Sequence, residues 1–513
     1  MNNQTLPNPS LRTSRPESLR RPPSSGGLPW QLRLAIFAGL IVGAPFLFQT
    51  SIGQRGLLAA VIFGLIGMLL IFSPRMGVSA LLIFLAVIGG VRRWLIPFLG
   101  YTTTDPLVLV GPALAGLFFL NLLATRTLPR DTQLARFQMW FVGLMVLEII
   151  NPLQGGIAVG LAGALFYIVP ILWYYLGRRF GSTTLMKRIF QVTVGIAIVA
   201  SFYGLYQTWF GYLPSETAWM QLSGMGALFV GGTLRAFSFF TSFAEYTWVL
   251  CLAIVILWAA VLRRRYIAFV PIPLLALAVF LASSRGCVIS TLAACVAIWA
   301  VQGRTIRSWI PRGILALLLT VAGLIVSLQQ VQHQTFSSQT SDLIAHQTNG
   351  LLNPLDAKSS TAGIHSSMIL DGVAQGFKTP LGRGLGSTTL AASKFDGAGG
   401  GTELDISNMF ASLGFLGGFL YLAIVITVFV TAARYWILMR SGVSLAILGI
   451  LVLMTGQWLS GAQYSTAFLV WFSIGALDNL SRKELGKKSL PDARVTGRRP
   501  RSRFNDDVPQ ESI

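Results

Sequence analysis

The sequence predicts an all-α, polytopic integral membrane protein with about 14 transmembrane helices and one long polar loop on the external side. Three observations carry this. Only 11% of the 513 residues are charged and 53% are hydrophobic, with mean hydropathy +0.66, whereas a soluble domain has about a quarter charged residues. Apolar runs of about 20 residues, enough to cross a bilayer core, recur along the chain between arginines. The basic residues also concentrate in alternate connections.

The elements follow in order. Residues 1–33 are rich in Pro, Ser and Arg and lack apolar periodicity, which predicts a disordered basic cytoplasmic tail. No secretory signal with a small-residue cleavage site is recognisable, so the first apolar run is expected to be retained. Residues 34–330 are expected to hold helices 1 to 11, near 34–48, 56–72, 76–91, 106–124, 137–152, 156–176, 189–208, 243–262, 267–283, 286–301 and 313–330. Residues 331–406 form a large external loop, and 407–478 return to the membrane near 407–432, 443–459 and 462–478. Residues 479–513 are a second basic cytoplasmic tail, and no repeat at a fixed period is present.

Net charge is +21, which at first suggests a nucleic-acid partner. Its distribution excludes one. With both termini cytoplasmic, 30 of the 39 Lys and Arg fall inside with eight of the 18 acids, leaving +22 inside and −1 outside. The basic balance is therefore topogenic, and its partner is the lipid bilayer. Cys251, Cys287 and Cys295 all lie in apolar runs and form neither a disulfide framework nor a metal motif.

Against that bias, Arg55, Arg92, Arg93, Arg235, Arg285 and Arg383 stand on the outer side. Arginines at membrane depth are expensive and usually face a partner or a cavity. A guanidinium suits bidentate phosphate binding. The alternatives are snorkelling to headgroups, or pairing with Glu148 or Glu245 at the same level. Arg285 stands out, in Ser283-Ser284-Arg285-Gly286 between two apolar runs. Arg55 reads as structural. For Arg92-Arg93, beside the interfacial Trp94, an anion contact and a headgroup anchor both stand.

A polar loop this long is usually functional. Within it Ile364, Met368, Val373 and Phe377 recur at helical spacing, predicting an amphipathic helix over the outer surface, with His365 and Asp371 off the stripe. The turn Pro380-Leu-Gly-Arg383-Gly-Leu-Gly386 can present backbone amides to an anion. Gly397–Thr402 reads as flexible, allowing lid movement. The three histidines, His333, His346 and His365, are 13 and 19 residues apart, which is no metal-ligand spacing. At least two read as exposed loop residues, and His365 is the one considered for a site. Glu403 and Asp405 are two apart, so a strand would put both on one face and a helix would not. Two readings stand: one of them is a general base, or they solvate the loop and cap the helix starting near Ile406.

Four features occur in order. Arg235 leads into Phe-Ser-Phe-Phe-Thr-Ser-Phe-Ala-Glu-Tyr; Ser284-Arg285-Gly286 follows; then come the Pro380–Gly386 turn and the helix entry Asn408 to Gly414-Phe-Leu-Gly417. Over roughly residues 230–430 the chain resembles the O-antigen ligase and polymerase superfamily, and within it the exopolysaccharide polymerases. The resemblance implies an all-helical fold like the C-type glycosyltransferases, in the bacterial cytoplasmic (inner) membrane. It implies a polyprenyl-diphosphate-linked oligosaccharide donor, an acceptor glycan, other polysaccharide assembly and export proteins as partners, and neither cofactor nor metal. Arg235 and Arg285 carry over as diphosphate-binding residues, and Arg92, Arg93 and Arg383 join them as outer-side candidates. Ligases of the family have a His-Asn pair about eleven residues before the first glycine of that entry; counting back from Gly414 gives Glu403. Glu403, Asp405 and His365 are thus the catalytic candidates, and polymerase is the expected activity. A ligase-type transferase and a lipid-linked glycan flippase are the alternatives, though the candidate charges crowd the outer ends rather than mid-span, where transporters bind.

Overall fold

The computed structural model describes residues 51–223, 229–230, 233–303, 305–332, 338–353, 362–389, 401, 404–459 and 463–489. Residues 1–50, with the expected span 34–48, residues 490–513, Glu403 and nearly all of the glycine patch 397–402 lie outside the described residues, while 479–489, expected as the start of a tail, continue the last helix.

Sixteen helices carry the chain here: α1 Ser51–Phe72, α2 Pro74–Trp94, α3 Val110–Ala124, α4 Gln133–Glu148, α5 Ile157–Phe180, α6 Thr183–Phe210, α7 Pro214–Ser223, α8 Phe243–Val261, α9 Ile272–Leu281, α10 Arg285–Ala300, α11 Trp309–Gln332, α12 Ser338–Leu352, α13 Ala362–Lys378, α14 Asp405–Met439, α15 Gly442–Leu453 and α16 Tyr464–Ser489. A hairpin of β1 Phe229–Val230 and β2 Thr233–Leu234 interrupts them, and a single helical turn, Ile96–Leu99, and several 3-10 turns fill connections. Hydroxyl side chains open several helices: Thr132, Ser182 and Ser242 accept from Ala135, Leu185 and Glu245 amides, each at 3.2 Å.

Among the described residues eight helices are long and apolar enough to cross a membrane, and Tyr266–Leu281, Arg285–Ala300 and Gly442–Leu453 are shorter apolar segments. The architecture is that of a polytopic helical membrane protein. The hub is α8, packed against α6, α9, α10 and α15, with 72% of its apolar window buried. At the other extreme stands the α11 segment, of which 6% is buried; its Ile310, Ile314, Leu318 and Leu319 face outward.

The helices alternate in direction, so the bundle has two ends. At one lie Arg178 on the last turn of α5, Arg263–Arg265 after α8, and Arg440 after α14, whose guanidinium donates to the Val301 carbonyl at 3.1 Å. This is the basic end. At the other lie the exits of α6 and α9 and the starts of α8, α10 and α14.

At that second end α14 is broken. Gly414 has φ +68° and ψ −172°, a conformation closed to L residues with a side chain. The turn 380–386 fills the break. The Arg383 amide donates to the Ala411 carbonyl at 3.1 Å and the Gly384 amide to the Ser412 carbonyl at 3.0 Å. A Cβ on Gly414 would meet the Pro380 carbonyl carbon at 2.5 Å. Three more turn amides are bonded: Gly382 to Thr379, Leu385 to the Glu148 carbonyl at 3.3 Å, and Gly386 to Gln154 Oε1 at 3.0 Å. The amides of residues 382–386, expected to meet an anion, are thus committed to the protein instead.

The first residue of α14 is a second anchor. The Asp405 carboxylate accepts from the Tyr421 hydroxyl at 2.9 Å and the Leu459 amide at 3.0 Å, and its own amide donates to the Gly456 carbonyl at 2.9 Å. It is 4% exposed. Asp405→Ala would strand two buried donors, so it is expected to destabilise the protein by about 1–3 kcal/mol. A lowered Tm of the detergent-purified variant checks this; an unchanged Tm would remove the anchoring role.

Candidate functional site

The site begins with one buried cation. Arg93, 1% exposed, donates from Nη1 to the Phe240 carbonyl and from Nη2 to the Ser238 carbonyl, both at 2.7 Å. Its guanidinium lies over the Phe237 ring, 4.6 Å from the centroid, and 5.2 Å from that of Trp219. Glu216 Oε1 stands 4.0 Å from its Nε and also accepts from Tyr203 and Gln207. From α6, Gln207 Oε1 accepts from the amides of Phe237 and Ser238 at 3.1 and 2.7 Å. Ser238 can then hold φ +51°, because every neighbour fixes it there. Arg93 is thus occupied as the clamp of the turn 236–241.

That turn aims Arg235. The side chain leaves β2, stacks over the Phe243 ring at 4.4 Å and is half-buried. Its Nε is buried with no hydrogen-bond partner, and it forms no ion pair among the described residues. Burial, and then the neighbouring charge of Arg285, push its pKa down to about 10.

Arg285 comes from the opposite wall. Ser283, at φ +52°, turns the chain from α9 into α10, and Arg285 is the first residue of α10. The lining here is α12, laid across the ends of α6, α9 and α10 and touching β2. Its Leu343 carbonyl accepts from Ser283 Oγ at 3.5 Å, and Asp342 accepts from Thr233 Oγ1 at 3.5 Å. Arg285 Nη2 stands 2.8 Å from His346 Nε2. A guanidinium only donates, so Nε2 is the acceptor and the proton sits on Nδ1. Gly350, one turn on, lets the guanidinium lie flat on the α12 backbone: a Cβ there would be 2.5 Å from Arg285 Nε.

The His346 pKa is lowered from its ordinary 6.5 by burial, then by Arg285 and Arg235. All three groups therefore share one electrostatic environment: two cations and a neutral imidazole at the second end of the bundle. Beside them the Gln347 amide is buried, with both polar atoms unpartnered. Glu245 does not neutralise the pair; it accepts from Thr241 Oγ1, and from Ser465 N and Oγ at 2.7 and 2.6 Å. Glu148 binds Asn151 at 2.7 Å.

The other candidates are placed elsewhere. Arg55 and Arg92 meet on Asp105 Oδ2, at 2.6 and 3.1 Å, and Arg55 also donates to the Gly100 carbonyl. Arg383 is exposed on the turn beside Gly414, and no described contact joins it to Arg235 or Arg285. His365 lies on α13, its side chain outside the described residues. That helix packs along the start of α14, with Phe377 stacked on Phe410 at 5.8 Å. Asp405 is held in packing, as above. Sequence reasoning passed over His346 because α12 gave no readable stripe: its buried side is Leu343, Ile344, Gln347 and Thr348, half of it polar.

Because the unfolded chain takes the proton more readily than the folded site, stability is expected to fall as pH drops below 6.5. In a histidine NMR titration of the full-length protein, His346 should titrate below 6.5 and move up in Arg285→Gln. Pyrophosphate should also move it up, since an anion favours imidazolium. A midpoint unmoved by both would dissolve the cluster.

No protein-family model matches this chain, and no curated protein matches it significantly.

Proposed function

We propose that the protein is a membrane glycosyltransferase that elongates a polysaccharide at the outer face of a bacterial cytoplasmic membrane. It would transfer a glycan from a polyprenyl diphosphate to the end of an acceptor glycan, as the resemblance to the O-antigen ligase and polymerase superfamily implies. The observation that supports this is the convergence of Arg235 and Arg285, from different walls, beside His346. Two like charges held together in a half-buried site are stabilised by an anion, and a diphosphate presents several oxygens to two guanidiniums.

In the reaction the acceptor hydroxyl oxygen attacks the anomeric carbon. The bond from that carbon to the diphosphate oxygen breaks, and the lipid diphosphate leaves. Arg235 and Arg285 bind the charge that grows on the leaving oxygen. The hydroxyl proton goes to a base. His346 takes the place that Asp405 held among the sequence candidates, because it lies against Arg285 while Asp405 is tied to Tyr421 and Leu459. As the diphosphate draws Arg285 towards itself, Nε2 of His346 is released as a proton acceptor, and the arriving negative charge raises its basicity. Arg93 contributes through the turn it clamps, and Arg383 has no part in this geometry.

Elongation by the purified protein, from lipid-linked repeat units, is the test. Arg235→Lys and Arg285→Lys should each cut the rate roughly 10²-fold with Tm unchanged, because a point charge does not reproduce two parallel contacts. Parental rates in both would refute the diphosphate site. Repeat units moved across liposomes without elongation would replace a transferase by a transporter.

A further inference from the structure

The basic end holds a second arrangement that the proposed chemistry does not use. The α3–α4 connection, the last turn of α5 and Arg482 of α16 enclose an open cavity of about 570 Å³. Arg130, Arg178, Arg179 and Arg482 line it, and Asp131 is the one acid in its wall. Its apolar part includes Leu122, Leu128, Pro129 and Tyr175.

Two of the arginines are already balanced. Arg178 Nη2 and Arg482 Nη1 grip the two oxygens of Asp131 at 2.7 and 2.8 Å. Arg178 Nε meets Asp478 at 2.9 Å, and Asp478 is fixed by the Tyr174 and Thr132 hydroxyls at 2.6 and 2.9 Å. Arg178 thus gives the wall one buried, multiply bonded side chain. Arg130 and Arg179 are different: both are exposed, and neither forms an ion pair among the described residues. Two cations without an ion pair among the described residues therefore line one cavity, together with apolar residues, at the last turn of α5.

We propose that this cavity binds the phosphate-bearing headgroup of an anionic membrane lipid. Arg130 and Arg179 take the phosphate, Arg178 and Arg482 keep the wall in shape, and the Leu122–Leu128–Tyr175 floor receives the first carbons below the headgroup. The volume lies in the range of small-molecule sites, about 300–1,000 Å³, and basic pockets between helices at this level suit lipid headgroups. A free phosphate would use the same two arginines but leave the apolar floor unused. The inference stands independently of the reaction at the other end.

The test uses the full chain in a neutral detergent and short-chain phosphatidylglycerol, phosphatidylcholine and soluble glycerol phosphate as probes, read by native mass spectrometry. Phosphatidylglycerol should bind and phosphatidylcholine should not. Arg130→Gln with Arg179→Gln should weaken phosphatidylglycerol binding roughly 10- to 30-fold, the effect of two basic groups at a charged bilayer surface, with Tm unchanged. Arg264→Gln with Arg265→Gln, equally exposed at the same end, should leave it within about twofold. Equal loss in both double variants would mean diffuse attraction and overturn the site. So would unaltered binding in the first, equal binding of both lipids, or displacement by glycerol phosphate at matching concentration, which would assign the cavity to a free phosphate.

Discussion

The end of the bundle that holds Arg235 and Arg285 is organised around a charge taken out of water. Burying an arginine costs several kcal/mol unless its donors are satisfied. Arg93 meets that condition with two backbone carbonyls, two aromatic faces and Glu216. The partners come from three segments: α2 supplies the guanidinium, α7 supplies Glu216 and Trp219, and the turn 236–241 supplies the carbonyls and Phe237. A polar nucleus of this kind cannot shift by a fraction of an ångström without stranding a donor, so it fixes the turn more sharply than apolar packing would. Arg235 inherits that precision, because it is the residue just before the clamped turn.

Arginines at the two ends of the bundle meet different sets of partners. At the basic end Arg178 and Arg482 share Asp131, and Arg178 reaches Asp478 as well. At the second end Asp105 pairs with Arg55 and Arg92, while Glu245 is held by Thr241 and Ser465 and Glu148 by Asn151. Among the described contacts Arg235 stacks on the Phe243 face and Arg285 meets the His346 lone pair, whereas Arg178 ties α5 to α16 and to the α3–α4 connection.

How far the sequence revealed this depends on the distance over which each signal acts. Helix positions were legible because an apolar run answers to the bilayer and needs no partner; α1 to α3, α5, α6 and α8 lie where hydropathy put them. The helix α13 was readable from the spacing of Ile364, Met368, Val373 and Phe377. The role of each arginine was not. Arg93 and Arg285 carry the same signature in the sequence, a cation on the wrong side of the charge bias. They differ only in what the fold brings to them: carbonyls 145 and 147 residues away for one, a histidine 61 residues away for the other. Asp405 was ambiguous for the same reason, since its partner Leu459 is 54 residues on. The glycine-rich turn advertised free amides, and only the break in α14 shows which carbonyls take them.

That break has a further consequence for how the protein fits its bilayer. A continuous helix from Asp405 to Met439 would be a rod of about 52 Å, far longer than the ~30 Å hydrocarbon layer. Divided at Gly414, the segment 415–439 is about 37 Å long and crosses alone with a modest tilt. Residues 405–413 are released from matching the membrane's thickness. They are largely buried, packed against α13 and the turn. One glycine thus separates the part of the helix that answers to lipid from the part that answers to its neighbours. A thicker or thinner membrane would be accommodated by 415–439, leaving the packing of 405–413 undisturbed.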